Sequence, residues 1–148
     1  MSTLAKIGEI AVNGKQVSVF RPPHDEPDFP WVDVEELAKA FLPRAEARRI
    51  VTMTHKFGGD VRTCATVRSG DRIATIICHA MAQGLCQMID WKKGHRGETE
   101  SGPAHREYGL AFGAFAAERC PMSFEEIVHA FNNPGGKFLR GADLGGGK

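Results

Sequence analysis

The sequence predicts an α+β fold in which two β-hairpins are interleaved with helices and followed by a C-terminal helical pair. Two stretches of the chain each contain a pair of short alternating segments joined by a turn sequence. The segments between and after these stretches place apolar residues at helical spacing. No strand–helix–strand repeat occurs, and this favours α+β over a parallel α/β sheet.

The first half of the predicted order is hairpin, helix, helix. KIGEIAV and KQVSVF flank Asn13-Gly14, which tolerates the positive φ angles of a type I′ turn, so a hairpin is predicted over residues 6–20. The next ten residues, RPPHDEPDFP, contain four prolines and form neither a helix nor a central strand. Asp33 then begins a helix in a D-x-x-E capping pattern with Glu36. A second helix is predicted from Arg44 to about His55.

The second half is predicted as hairpin, helix, loop and two helices. VRTCATV and RIATII form a hairpin around residues 68–71, and CHAMAQGLCQMID reads as a helix. Residues 91–103 are polar and glycine-containing, which predicts a loop that is either mobile or functional. A helix follows over residues 104–120, and a last one begins at Ser123, where Glu126 completes a capping-box pattern.

Length and composition indicate one cytoplasmic domain. The chain has 148 residues, enough to build one core without disulfides. It contains no apolar run of the roughly 18 residues that a membrane-spanning helix needs, and its N-terminus lacks a signal-peptide core. We therefore expect no membrane association and reduced cysteines. Residues 1–134 are predicted to form one α+β domain, and residues 135–148 a flexible tail.

The cysteines offer one candidate metal site. Cys78 and Cys86 lie eight residues apart on one predicted helix, where His79 or Cys120 could complete a ligand set. Zinc sites usually show close ligand pairs, however, and none is present. We therefore interpret the cysteines as small buried apolar residues and expect neither a metal nor a cofactor.

The polar loop offers a candidate acid–base site. His95 and His105 flank the acidic residues Glu98, Glu100 and Glu107. No spaced ligand or catalytic motif accompanies them. A small hydrolase centred on this loop is therefore retained only as an alternative, and no catalytic residue is assigned.

Basic residues concentrate in the middle of the chain. Residues 44–96 contain ten basic and four acidic side chains, whereas the flanking segments are net acidic. A basic helix beside a basic hairpin suits the phosphate backbone of DNA, as in small DNA readers that combine a helix with a ribbon. The predicted DNA-binding residues are Arg44, Arg48, Arg49, Lys56, Arg62, Arg68 and Arg72.

Residues 17–89 resemble the N-terminal domain of phage and viral antirepressors, the BRO-N type. The matching segments are Pro30-Trp31-Val32-Asp33-Val34, Leu37-Ala38, Ala47-Arg48-Arg49 and Ala74-Thr75-Ile76-Ile77. The resemblance implies a regulator from a phage or mobile element that binds DNA or a repressor. The DNA-binding role that the resemblance implies applies only to Arg48, Arg49, Arg68 and Arg72.

Two binding hypotheses therefore stand beside the hydrolase. The first is a DNA-binding regulatory protein that uses the basic helix and hairpin on phosphates. The second is a phage or mobile-element inhibitor or adaptor that binds a host protein. In that case helix 104–120 would be the docking or homodimer face, because Gly109, Gly113 and Ala117 recur every four residues and let another helix approach closely.

Overall fold

The computed structural model describes residues 2–58, 63–95 and 102–136 and confirms the α+β prediction. The strands are β1 (Ser2–Thr3), β2 (Lys6–Val12), β3 (Lys15–Phe20), β4 (Trp31–Asp33), β5 (Cys64–Ser69) and β6 (Arg72–Ile77). The helices are α1 (Val34–Lys39), α2 (Arg44–Gly58), α3 (His79–Lys92), α4 (Pro103–Arg119) and α5 (Phe124–Asn132).

Both predicted hairpins are present, and they belong to one sheet. The strand order is β1-β5-β6-β4-β3-β2, in which every pairing is antiparallel except that of β1 with β5. Asn13 and Gly14 have φ angles of 51° and 75°, the left-handed backbone that a type I′ turn requires.

The central strand β4 was not predicted. The sequence indicates a helix that begins at Asp33 and no strand before it, but Trp31–Asp33 pairs with β3 on one side and β6 on the other. Val32 lies opposite both Val19 and Ile77, so these three residues join the two hairpins. A strand of three residues is too short to show the alternation of apolar and polar residues that predicts a strand. The preceding proline-rich segment also gives no sign that a strand begins at Trp31.

Capping side chains set the starts of α1 and α5. Asp33 Oδ1 accepts from the backbone N–H of Glu36 at 3.0 Å, as predicted. Glu36 does not return the bond, because its Oε1 accepts from the N–H of Ser18 at 2.7 Å and ties α1 to β3. At α5, Ser123 and Glu126 form both bonds of the predicted capping box.

The predicted loop over residues 91–103 is shorter than expected. Helix α3 continues to Lys92, α4 begins at Pro103, and residues 96–101 lie outside the described residues. The buried Asp90 accepts from the N–H groups of Ala104 and His105 at 2.8 and 3.0 Å. A carboxylate of α3 therefore caps α4 and stabilises the positive end of its dipole.

Apolar side chains fill both faces of the sheet. On one face, β-strand valines pack against α1, α3 and α4, with Leu37 and Tyr108 fully buried. On the other face, Phe20, Trp31 and Ile76 form a second cluster. The proline-rich segment contacts this cluster, since Trp31 Nε1 donates to Asp28 Oδ2 at 2.9 Å.

Helix α5 packs on the proline-rich segment. His129 Nε2 lies 2.7 Å from Glu26 Oε1, and the rings of Phe131 and Phe29 meet edge to face at 5.3 Å. Gly136 lies against the His24 ring, so the packed chain extends to this residue. The rest of the predicted tail lies outside the described residues. In the described part of the chain, no helix is long and apolar enough to cross a membrane.

Candidate nucleic-acid interface

Helix α2 is attached to the fold along one side only. Among residues 44–56, whose burial is described, Ala47 and Thr54 are buried, and the side of the helix away from them faces solvent. Met53 is exposed as well but borders α3, and the other exposed positions are Arg44, Ala45, Arg48, Arg49, Thr52, His55 and Lys56. We call these seven residues the outer face of α2. No acidic residue occurs on it.

The single acidic residue of α2 is turned away from the outer face. Glu46 pairs with Lys92 of α3, with Oε1 and Nζ 2.8 Å apart. Its pKa is lowered, first by the hydrogen bond from Lys92 and further by nearby cations that include Arg49. The negative charge of Glu46 is thus balanced mainly by Lys92 of α3, on the side of α2 away from Arg44 and Arg48.

Three arginines dominate the outer face. Arg44 and Arg48 lie one turn apart, and Arg49 follows around the helix. Within the described residues, no carboxylate lies within ion-pair distance of these three guanidinium groups. Glu35 of α1 is the acid at their edge, and it pairs with Lys39 at 2.7 Å. The three arginines are therefore available to an external anion.

The second hairpin, β5–β6, is fixed to the C-terminal half of α2. His55 Nε2 lies 2.9 Å from Thr75 Oγ1, and the Cys64 thiol donates to the carbonyl of Thr54 at 3.7 Å. Because side chains alternate along a strand, Arg68 lies on the same sheet face as Cys64 and about 13 Å further along. Arg68 is exposed and extends the basic surface toward the hairpin tip.

Arg72 has a different role in the structure. Its guanidinium forms ion pairs with the buried Asp33 and, at 3.2 Å, with Glu36. Burial raises the pKa of Asp33, and the Glu36 N–H and the Arg72 cation oppose this rise. Arg72 thus compensates a buried carboxylate at the start of α1. The pair spans 39 positions of sequence, so no local pattern could indicate it.

The structure brings together five of the seven predicted DNA-binding residues. Four lie on α2 and one on β5, all on the helical side of the sheet: Arg44, Arg48, Arg49, Lys56 and Arg68. Arg72 is directed to α1, and Arg62 lies outside the described residues.

The candidate metal residues do not form a site in the structure. In the ranges that the structure describes, no three His, Cys, Asp or Glu side chains converge on a point where they could hold a metal ion. All four cysteines are unpaired thiols. Burial raises the pKa of Cys78 to about 11 and that of Cys86 to about 12. Both groups are protonated at neutral pH and pack as apolar side chains.

His79 belongs to an aromatic cluster. Its Nδ1 lies 2.7 Å from the hydroxyl oxygen of the fully buried Tyr108, and its ring stacks on Phe112 at 4.1 Å. Burial lowers the pKa of His79 to about 4, so the imidazole is neutral at neutral pH. The sequence offers no local signal for this packing role of His79, because Tyr108 and Phe112 lie on a different helix.

The candidate hydrolase residues are not assembled in the described part of the chain. Glu98 and Glu100 lie outside it. Glu107 Oε1 accepts from the backbone N–H of Asn13 at 3.2 Å, so this carboxylate contacts the turn of the first hairpin. The basic surface therefore remains the better-assembled candidate.

Comparison with known proteins does not assign the chain to a family. No family model, curated protein or solved structure matches it.

Proposed function

We propose that this protein is a DNA-binding regulatory protein that uses the outer face of α2 and Arg68 on the phosphate backbone. One observation carries the proposal: a helix fixed on a folded sheet presents four Lys and Arg side chains and no acid on its solvent side. Such a surface is preorganised, because the helix is already ordered before it meets a polyanion.

The dimensions of α2 suit a duplex. Its 15 residues span about 22 Å, and the major groove of B-DNA admits an α-helix. Arginine binds phosphate oxygens through a rigid fork of N–H donors, which suits Arg44, Arg48 and Arg49 to backbone contacts. Arg68 would reach the same duplex from the hairpin, as a ribbon beside a helix does.

The regulatory part of the proposal comes from the resemblance to antirepressor domains. The quoted segments Ala47-Arg48-Arg49 and Ala74-Thr75-Ile76-Ile77 lie on α2 and β6, which the His55–Thr75 contact joins. The proposed DNA-binding residues Arg48 and Arg49 thus lie within one of the segments that resemble the antirepressor domain.

The test compares two variants with the same change in charge. Arg44, Arg48 and Arg49 are replaced with Ala in one variant, and Lys6, Lys15 and Arg21 of the first hairpin region in the other. We expect wild-type protein to bind a random duplex at low salt, and the α2 variant to lose about tenfold or more in affinity. The first-hairpin variant should retain near wild-type affinity, and thermal melting checks that both variants fold. Absence of wild-type binding would overturn the proposal.

A protein partner or a second copy on α4 is the second candidate function. Leu110 is 69% exposed on this helix, and Gly109, Gly113 and Ala117 share its uncovered side. A groove of about 480 Å³ separates α4 from α5. Sedimentation of wild-type protein and of Leu110→Arg tests the homodimer. A dimer that the substitution converts to a monomer would support the homodimer, and a monomeric wild type would contradict the homodimer and leave a different protein as the partner of α4.

A further inference from the structure

A second groove lies between α2 and α3, beside the outer face of α2. Its volume is about 290 Å³. Three methionines and three aliphatic residues form most of its lining: Met53, Met81, Met88, Ile50, Leu85 and Ile77. Methionine is unbranched and polarizable, so a methionine-lined groove adapts to apolar side chains of different shapes.

The groove is an open trough with apolar rims. Met53 on α2 and Met88 on α3 are 45% and 46% exposed. Trp91 is 59% exposed and lies one turn after Met88. The Glu46–Lys92 ion pair joins the helices at one end, and Thr54 and Met81 line the other. The two helices therefore form antiparallel walls about two helical turns long.

The rim of the groove is cationic. On α2, Arg49 lies one turn before Met53, and Lys56 lies one turn after it. On α3, Lys92 lies one turn after Met88. Among the described residues along these two walls, Glu46 is the one acidic side chain at the rim, and Lys92 already compensates it. The apolar floor is thus flanked by net positive charge.

We infer that this groove binds an acidic amphipathic helix of a partner protein. Apolar side chains one turn apart on such a helix would fill the trough, as in other helix-in-groove complexes. Its carboxylates would meet Arg49, which has no carboxylate within ion-pair distance among the described residues, and this gives the interaction its charge complementarity. A duplex offers phosphates to these cations but no apolar stripe to the three methionines. Arg49 and Lys56 belong to both surfaces, so a duplex and the partner helix would compete for them, whereas the apolar floor would serve the partner helix alone.

The probe is a synthetic helical peptide of about 15 residues with a leucine stripe, glutamates on its flanks and no tryptophan. A second peptide has lysine in place of each glutamate. Trp91 reports binding by its fluorescence, because Trp31 is fully buried elsewhere. We expect saturable binding of the glutamate peptide and about tenfold or weaker binding of the lysine peptide.

Neutral substitutions locate the binding site. Met53→Gln and Met88→Gln together keep side-chain length and charge, and we expect them to weaken the glutamate peptide about tenfold or more while leaving duplex binding unchanged. Phe124→Gln, at an exposed position at the start of α5, is the control and should have no effect. Equal binding of both peptides, or no effect of the methionine pair, would overturn the inference. So would a methionine pair that weakens duplex binding but not peptide binding, because DNA would then occupy the groove.

Discussion

The two hairpins of this protein share one motif but differ in how much of each is covered by helices. In β2–β3, Val12, Val17 and Val19 have no exposed surface, and Asn13 Nδ2 in the turn donates to the carbonyl of Ala40 at 2.7 Å. In β5–β6, Ile73 is 54% exposed beside its cross-strand partner Arg68.

The covering helices account for this difference. Helix α4 packs across β2, where Phe115 lies close to Gly8 and Arg119 donates to the carbonyl of Ile7 at 3.0 Å. Helix α2 meets β5–β6 near Cys64 and Thr75 but leaves the hairpin tip uncovered. Both hairpins therefore contribute to the core, the second through Val67, Ile76 and Ile77, but only the second leaves side chains at its tip exposed on the side of α2.

The largest expected effect is in the core of the first hairpin. Val17→Ala removes two buried methyl groups, and we expect a loss of roughly 2–3 kcal/mol in the free energy of unfolding. Ile73→Ala in the second hairpin should change it by less than about 0.5 kcal/mol, because this side chain is half exposed. Denaturant titration of both variants measures the difference. Equal losses would contradict the contrast between the covered strands of the first hairpin and the exposed tip of the second.

A smaller effect separates two arginines of the second hairpin. Arg72→Ala leaves the buried Asp33 without its cation, and we expect a loss of about 1–2 kcal/mol, reduced by the partial exposure of Arg72. Arg68→Ala should leave stability unchanged and weaken DNA binding. Chemical unfolding measures the stability of both variants, and duplex titration measures their DNA binding. A larger loss of stability in Arg68→Ala than in Arg72→Ala would contradict this assignment.

The deficit of Arg72→Ala should depend on pH. Burial raises the pKa of Asp33, and loss of the Arg72 cation should raise it further. The cation stabilises the charged carboxylate. The loss of stability is therefore fully present above the pKa that Asp33 has in the variant, and it shrinks as the pH falls from there to the lower pKa that Asp33 has in the wild type. Unfolding measured from neutral to acid pH gives this profile. A deficit independent of pH would show that Arg72 acts through packing alone.

The rate of reaction with a thiol reagent should distinguish buried from partly buried cysteines in the folded protein. Cys78 and Cys86 have raised pKa values and are buried, so they should react with a thiol reagent only after unfolding. Cys64 and Cys120 are partly buried and should react first. Labelling followed by mass spectrometry resolves the four sites. Immediate reaction of all four, or about one zinc per purified chain, would contradict the core interpretation of these cysteines.

Local patterns predicted most of the fold. Asn13-Gly14 and the Ser123–Glu126 capping box work over two to four residues, so the sequence shows them directly. The strand β4 and the Asp90 cap of α4 were missed, because their partners are distant in sequence. The basic residues of α2 were found by charge and spacing. Their charge and spacing do not show that Arg68 lies on the same side of the sheet as the α2 cations, or that Arg72 pairs with Asp33, because both depend on tertiary structure.

The salt dependence of duplex binding tests the central claim most directly. Each phosphate contact contributes about 0.9 to the slope of log affinity against log salt concentration. Replacing Arg44, Arg48 and Arg49 with Ala should therefore flatten the wild-type slope by about 2.7, and replacing Lys6, Lys15 and Arg21 should leave it unchanged. Equal flattening by both variants would mean that binding follows net charge, and the outer face of α2 would not be the DNA-binding surface.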